Sequence, residues 1–137
     1  MTFSWDKALA LDGNSAPYLQ YACARIASVL DKYAAQFPGR DAAAFPVRIA
    51  EPVERALALR LARFPEAVAA AAQGCKPNLL ADHLFELAQT YSTFYQNVPF
   101  LKAEAGVRES RVRLCELVAR TLRTGLELLG ISTPSRI

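Results

Sequence analysis

The chain has 137 residues, of which 53% are hydrophobic, and its formal net charge is +3. This length suits one domain that buries its own core, and no apolar run approaches the length of a membrane span. The three cysteines, Cys23, Cys75 and Cys115, lie far apart and have neither the paired spacing of a zinc site nor the even number of a disulfide framework.

The first predicted elements are a short turn and a long helix. Residues 3–9 are typical of a serine-capped turn that lays Trp5 on the rest of the fold. The long helix is expected to begin at Ser15, with Pro17 in its first turn, and to end near residues 37–39. Its core residues recur at three- and four-residue steps: Leu19, Cys23, Ile26, Leu30 and Tyr33.

The remaining segments also have helical periods. Residues 40–49 have none and are expected to form a connection, the stretch of the chain most prone to disorder. A second helix begins at Pro52, a short alanine-rich helix closes at Gly74, a long helix begins at Pro77, and the last runs from about Val107 to Leu129. Because no segment alternates as a strand does, we predict an all-α fold, an antiparallel bundle of four to five helices.

Two of these helices have long apolar stripes. The stripe of the helix from Pro77 contains Leu80, Leu84, Leu87, Tyr91, Phe94 and Val98. In the last helix, the residues expected to face the core are Leu114, Val118, Leu122 and Leu129. The residues expected to face solvent are Arg113, Arg120 and Arg123. Leu59 lies off the apolar line of its own helix and is expected to touch a second neighbour or another domain.

The first long helix has a second stripe, well rotated from its core residues. Tyr18, Tyr21, Arg25 and Lys32 fall within roughly 60° of one another at 100° per residue. Aromatic rings stack on bases and cations bind phosphates, so this stripe is a candidate platform for single-stranded RNA. The alternative is that the tyrosines close the edge of the core and the charges form a solvated face.

The charge of the chain is concentrated at one end. Residues 105–137 contain six arginines and three glutamates, so this segment has the whole net excess of +3. A basic end on a neutral body indicates contact with a polyanion. The unpaired cysteines favour a reducing compartment, and we expect a cytoplasmic protein.

Catalytic groups are scarce. His83 is the only histidine, and Asp82 and Glu86 beside it form one His-x-x-Glu pair, whereas a di-iron bundle needs repeated pairs of the reverse order. We interpret His83 as a packed or helix-capping residue. Cys23 and Cys115 lie on apolar stripes that disfavour a thiolate, and no glycine-rich phosphate loop is present. We therefore expect no catalytic residue and no metal or cofactor site, so the chain alone is not an enzyme.

The sequence resembles one family over almost its whole length. Residues 12–26 read DGNSAPYLQYACARI, which is similar to the opening of the C-terminal anticodon-binding domain of arginyl-tRNA synthetase. The resemblance continues through residues 57–66, 86–89, 94–97 and 125–131. One position departs from it, because the Asp-Ala-Leu-Arg signature of this domain type reads Leu57-Ala58-Leu59-Arg60 here. Any role of the signature acid is therefore not transferred.

The resemblance implies that residues 1–137 are a single helical domain that recognises the anticodon stem and loop of arginine tRNA. It further implies a longer parent, an arginine–tRNA ligase whose separate catalytic domain uses ATP with magnesium. By match to the family, the expected anticodon contacts are Tyr18, Tyr21, Arg25 and Tyr95. Secondary candidates for RNA contact are Lys32, Arg111, Arg113, Arg136 and Ile137. We expect no contact with DNA or membrane, and a monomer; the alternative function is a freestanding helical protein-interaction module that has lost RNA binding.

Overall fold

The computed structural model describes residues 15–131. Within that range the fold consists of five α-helices and one short 3₁₀ turn, with no strand: α1 (Ser15–Gln36), the 3₁₀ turn (Ala42–Ala44), α2 (Pro52–Ala62), α3 (Phe64–Gly74), α4 (Pro77–Asn97) and α5 (Val107–Leu128). The all-α prediction is confirmed. The predicted turn at residues 3–9 lies outside the described residues.

Local sequence explains where the helices begin. A proline occupies the first turn of α2, α3 and α4, where the missing amide costs no helical hydrogen bond. At the start of α2 the Glu54 carboxylate accepts a hydrogen bond from the backbone N–H of Glu51 at 2.9 Å. Glu109 does the same for Gly106 at the start of α5, also at 2.9 Å. Both glutamates therefore accept hydrogen bonds from backbone amides that have no partner within the helix.

The centre of the fold is the apolar face of α4. All six residues of its predicted stripe are buried, and Leu84, Leu87 and Phe94 are completely so. Helices α1, α2, α3 and α5 all pack against α4. The core stripe of α1 is likewise confirmed, except that Leu30 is only half-buried. The predicted core stripe of the last helix is also confirmed, since Leu114, Val118 and Leu122 are buried. Leu129, the residue after α5, is half-buried.

Residue contacts define the directions of the helices. Tyr33, late in α1, bonds to Glu109, early in α5, whereas Cys23, early in α1, lies near Arg123, late in α5. Helix α5 therefore runs antiparallel to α1. It also runs antiparallel to α4, because Tyr91 contacts Cys115 and Leu84 abuts Gly125. Helices α1 and α4, both antiparallel to α5, consequently run in the same direction.

A buried carboxylate links the end of α1 to the start of α5. Glu109 is fully buried and accepts hydrogen bonds from the hydroxyl of Tyr33 and from Nε of Arg108, each at 2.8 Å. Burial acts to raise the pKa of Glu109, but these bonds and the one from Gly106 outweigh it and lower the pKa to about 2. The Arg108 guanidinium also lies 3.7 Å from the ring centroid of Phe37, which fixes the chain after α1.

The connection after α1 is docked on α5, so the expectation of disorder there is wrong. Ala42 is buried, and the side chain of Asp41 accepts a hydrogen bond from the Ala43 amide at 3.0 Å. The Ser110 hydroxyl accepts a hydrogen bond from the Arg48 amide at 2.8 Å and donates one to the Arg48 carbonyl at 3.2 Å. Arg48 and Ser110 are 62 positions apart, so the helical period of a local segment cannot predict their contact.

The end of α3 also differs from the prediction. Gly74 is the last helical residue, and the left-handed position after it is occupied by Cys75, with φ of 50°. This conformation is uncommon for a residue with a side chain. The amides of Cys75 and Lys76 bond back to carbonyls of the last turn and so satisfy them.

None of the helices described is both long and apolar enough to cross a membrane.

The Glu109 cluster predicts a specific loss of stability in acid. Because the pKa of Glu109 falls from 4.5 to about 2 on folding, its contribution is fully present above about pH 4.5 and is lost as the pH falls toward 2. Urea unfolding at several pH values should show Glu109→Gln to be less stable than wild type at pH 7 and flatter in its pH dependence below 4.5. Glu104→Gln, which alters an exposed carboxylate, should keep the wild-type slope. Equal slopes for wild type and Glu109→Gln would contradict this role.

Two glycines form a matched pair for testing helix packing. A Cβ at Gly125 would lie 2.6 Å from both methyl carbons of Leu84, which is completely buried. Overpacking costs about 1–3 kcal/mol, against about 1 kcal/mol of gained helix propensity, so Gly125→Ala should destabilise the fold. A Cβ at Gly74 meets only the flexible side chain of exposed Lys76, at 3.3 Å. Gly74→Ala should therefore stabilise the fold by up to about 1 kcal/mol. If thermal melts show that the two substitutions change stability in the same direction, the close contact between α4 and α5 is refuted.

Candidate nucleic-acid interface

A surface groove of about 430 Å³ lies between α1 and α4. It is open to solvent and combines aromatic, charged and small residues. Its lining consists of Tyr21, Ala24, Arg25, Ser28, Val29, Asp31, Lys32 and Tyr95. Four residues that were predicted to contact RNA therefore share one surface, although they come from two helices.

Tyr95 and Arg25 form the best-defined contact in the groove. The Arg25 guanidinium carbon lies 4.1 Å from the ring centroid of Tyr95, within cation–π distance. The Tyr95 ring is supported by Phe100 at 5.4 Å and by Tyr91 at 6.2 Å between ring centroids. Tyr91 is itself almost completely buried, so the aromatic wall of the groove is continuous with the core.

Tyr21 supplies the accessible ring. Its side chain lies one helical turn before Arg25, and 54% of the residue is exposed. Tyr21 is therefore accessible to a ligand, and it shares the groove with two cations, Arg25 and Lys32. Asp31 also lines the groove, so its charge is mixed and not uniformly positive.

Tyr18 does not belong to this surface. It is half-buried, its ring packs on Phe85 with 5.3 Å between centroids, and its hydroxyl lies 3.5 Å from that of Ser92. Only Tyr21 of the two tyrosines therefore lines the groove, and a contact of Tyr18 with RNA stays a prediction. The reason is that α1 packs against both α4 and α5, so its buried arc is wider than one apolar stripe.

The groove continues beyond Tyr95 into a more apolar depression of about 290 Å³. Its lining residues are Val29, Lys32, Tyr95, Val98, Pro99, Phe100 and Leu101. Sequence analysis missed this extension, because Val98 was assigned to the core stripe and no role was predicted for residues 99–101. The aromatic-rich run from Phe94 to Phe100 was the available signal.

The arginine candidates of α5 have other roles. Arg111 is buried, and it donates a hydrogen bond to the Pro99 carbonyl at 2.7 Å and lies 3.8 Å from the Glu54 carboxylate. It links α5 to α2 and to the loop after α4, so its guanidinium is not available to a phosphate. Arg113 is half-buried and paired with Glu116 at 3.3 Å. Arg136 and Ile137 lie outside the described residues.

Three of the candidate catalytic groups, Cys23, Cys115 and His83, are buried. Burial raises the pKa of the Cys23 thiol, and it raises the pKa of Cys115 to about 12 despite a hydrogen bond from Tyr91. His83 is only 9% exposed, which confirms the interpretation of this histidine as a packed residue, and burial lowers its pKa. In residues 15–131, no three side chains of the metal-binding types converge as a metal site requires.

Comparisons with known proteins agree with these features. The family model for the DALR anticodon-binding domain matches residues 19–137. The arginine–tRNA ligase of Chromobacterium violaceum is 48% identical over 94% of this chain, and this chain spans 22% of its length. The arginine–tRNA ligase of Proteus mirabilis is 43% identical over 98% of this chain, and this chain spans 23% of its length. The arginyl-tRNA synthetase structure of Thermus thermophilus superposes with a TM-score of 0.75 at 41% identity, over 88% of this chain and 21% of its own.

A more distant structure, the arginyl-tRNA synthetase of Plasmodium falciparum, shares the fold alone, with a TM-score of 0.76 at 23% identity over the whole of this chain and 24% of its own. The signature position that departs from the family, Leu57, is completely buried here and so forms part of the core. The resemblance inferred from residues 12–26 is therefore confirmed, and the chain belongs to the family of DALR anticodon-binding domains.

Proposed function

We propose that this domain binds the anticodon stem and loop of arginine tRNA through the groove between α1 and α4. The observation that supports the proposal most directly is the joint placement of Tyr21, Arg25, Lys32 and Tyr95 on one open surface. This combination of one exposed ring, one half-buried ring and two cations suits unstacked loop bases and the phosphates between them.

Each residue has a distinct part in this proposal. Tyr21 stacks on a loop base through its exposed ring, and Tyr95 forms the supported wall of the groove. Arg25, held over Tyr95, and Lys32, at the junction of the two depressions, neutralise phosphates. The apolar depression beyond Tyr95 offers space for a second base.

The parent protein in this proposal is a cytoplasmic arginine–tRNA ligase. The relatives are four to five times longer than this chain, so the attachment of arginine, with ATP and magnesium, is assigned to the remainder of such a parent. The contribution of the groove in this proposal is to position the tRNA. The alternative, a protein-interaction module without RNA, is not favoured by the match to ligases over nearly the whole chain.

Replacement of Tyr21 should separate binding from stability. Because the ring is exposed, Tyr21→Ala should change the free energy of unfolding by no more than about 0.5 kcal/mol. The loss of one stacking platform should weaken binding of an arginine anticodon stem-loop about five- to hundredfold, equivalent to about 1–3 kcal/mol. Fluorescence anisotropy with a labelled stem-loop measures the affinity, and thermal unfolding measures the stability.

The control for Tyr21→Ala is Leu19→Ala, which truncates a residue of α1 that is 1% exposed. It should lower stability by about 2–5 kcal/mol and leave the affinity of the folded fraction unchanged. A Tyr21→Ala variant that is as destabilised as Leu19→Ala but binds RNA normally would remove Tyr21 from the interface.

Arg25→Ala should act mainly on the salt dependence of binding. A phosphate contact with a single-stranded loop contributes about 0.7 to the slope of log K against log salt, so the variant should lose about that amount. Titrations between 50 and 300 mM potassium chloride, about the range in which such slopes are resolved, provide the measurement. Arg55→Ala removes an exposed cation of α2 that does not line the groove, and it should keep the wild-type slope. Equal effects of the two changes would indicate nonspecific attraction.

A further inference from the structure

Arg111 reaches from α5 to the loop that follows α4. The residue is 7% exposed, and its Nη1 atom donates a hydrogen bond to the Pro99 carbonyl at 2.7 Å. A bond from a charged donor is stronger than one between neutral groups. Because proline has no N–H, the carbonyl is the only hydrogen-bonding group of Pro99. No backbone amide of residues 15–131 donates to this carbonyl, so Arg111 is the group that fixes it.

The other nitrogens of the Arg111 guanidinium make weaker contacts. Nη2 lies 3.8 Å from the Glu54 carboxylate, which is an ion pair but too long for a hydrogen bond. Nε is buried and has no hydrogen-bond partner in the part of the chain that the structure describes, and an unpaired buried donor costs stability. The bond to Pro99 is therefore the best-formed polar contact of this side chain.

Pro99 is followed directly by Phe100, which supports the wall of the proposed RNA groove. Phe100 is buried, and its ring meets that of Phe94 edge-on at 5.0 Å and that of Tyr95 at 5.4 Å between centroids. Pro99, Phe100 and Tyr95 all line the apolar depression of about 290 Å³. A displacement of the Pro99 backbone therefore reaches the Tyr95 ring through a single ring contact.

We propose that Arg111 is a positioning residue of the RNA groove: by holding the Pro99 carbonyl it places Phe100, and Phe100 sets the orientation of the Tyr95 ring. Arg111 does so without touching RNA, because it is buried and lines neither the groove nor the depression. The inference rests on the proposed function of the groove, to which it adds a residue of α5.

The orientation of Tyr95 can be measured without RNA. When 3-fluorotyrosine replaces the five tyrosines of the chain, Tyr95→Phe assigns the ¹⁹F resonance of that ring. Arg111→Lys keeps the positive charge but replaces the planar fork of donors with a single ammonium group. It should shift the Tyr95 resonance, because the ring loses its fixed contact with Phe100.

Arg108→Lys is the matched control, since it makes the same substitution three residues earlier in α5. Arg108 is 8% exposed, but it bonds to Glu109 and not to the loop after α4. Both substitutions alter a buried charge, so both should lower the melting temperature. Only Arg111→Lys should shift the Tyr95 resonance.

The same two variants should differ in their affinity for RNA. Arg111→Lys should weaken binding of the arginine anticodon stem-loop about two- to thirtyfold, the range expected for a residue that acts through intervening contacts. Arg108→Lys should bind as wild type does, at a temperature where circular dichroism shows both variants to be folded. The effect of Arg111→Lys should disappear in a Tyr95→Leu background and persist in a Tyr21→Ala background, because it is transmitted through Tyr95 alone.

A double variant tests Arg111 without leaving a charge unpaired in the interior. Glu54→Gln/Arg111→Met removes both buried charges, a change that is often neutral for stability, and the glutamine oxygen still accepts from the Glu51 amide. Compared with Glu54→Gln alone, it should shift the Tyr95 resonance and weaken binding as Arg111→Lys does. The slope of log K against log salt should stay the same, because no phosphate contact is lost.

Four results would each overturn the inference. They are an unchanged Tyr95 resonance in the folded Arg111 variants, equal effects of Arg108→Lys, an undiminished effect in the Tyr95→Leu background, and a salt slope reduced by about 0.7, which would mean that Arg111 meets a phosphate itself. Absence of binding by the wild type would instead overturn the proposed function. The ¹⁹F comparison would still decide whether Arg111 places the Tyr95 ring.

Discussion

The apolar face of α4 is the constraint on which the rest of the structure depends. This face is covered from several sides at once, since α1, α2, α3 and α5 all pack against it. Leu84, Leu87 and Phe94 are completely buried as a result. Dispersion and the removal of apolar surface from water stabilise this arrangement, and both require close approach. Gly125 allows that approach where α5 meets Leu84.

The same packing explains the properties of the proposed RNA surface. Tyr95 lies at the margin of the buried face, so its ring is supported by Tyr91 and Phe100 while one side remains open to Arg25. The proposed RNA surface is therefore an extension of the core, because Tyr91 and Phe100 are themselves buried. Tyr21, which projects from α1 without such support, adds the exposed ring.

Charged groups in the interior have a structural role that could not be predicted from the composition of the chain. Glu109 joins α1 to α5 through Tyr33 and Arg108, and Arg111 joins α5 to the Pro99 carbonyl. Counted along the sequence, these residues belong to a basic segment, which predicted contact with a polyanion. In the fold, Arg108 and Arg111 are used internally, because a buried carboxylate or carbonyl is stable only when donors satisfy it.

The sequence by itself determined the helices, their starts at prolines and the apolar stripes of α1, α4 and α5, because these depend on local propensity and on a period of 3.6 residues. It also determined the family, through residues 12–26. Only the tertiary structure decided which residues near each stripe are covered. Tyr18 was placed on a surface stripe from its own helix, but its ring packs on Phe85 and it is half-buried. Arg111 was a candidate for RNA contact, but it is buried and donates a hydrogen bond to the Pro99 carbonyl. The groove that combines Tyr21 with Tyr95 likewise depends on contacts between helices that are distant in sequence, which no local period contains.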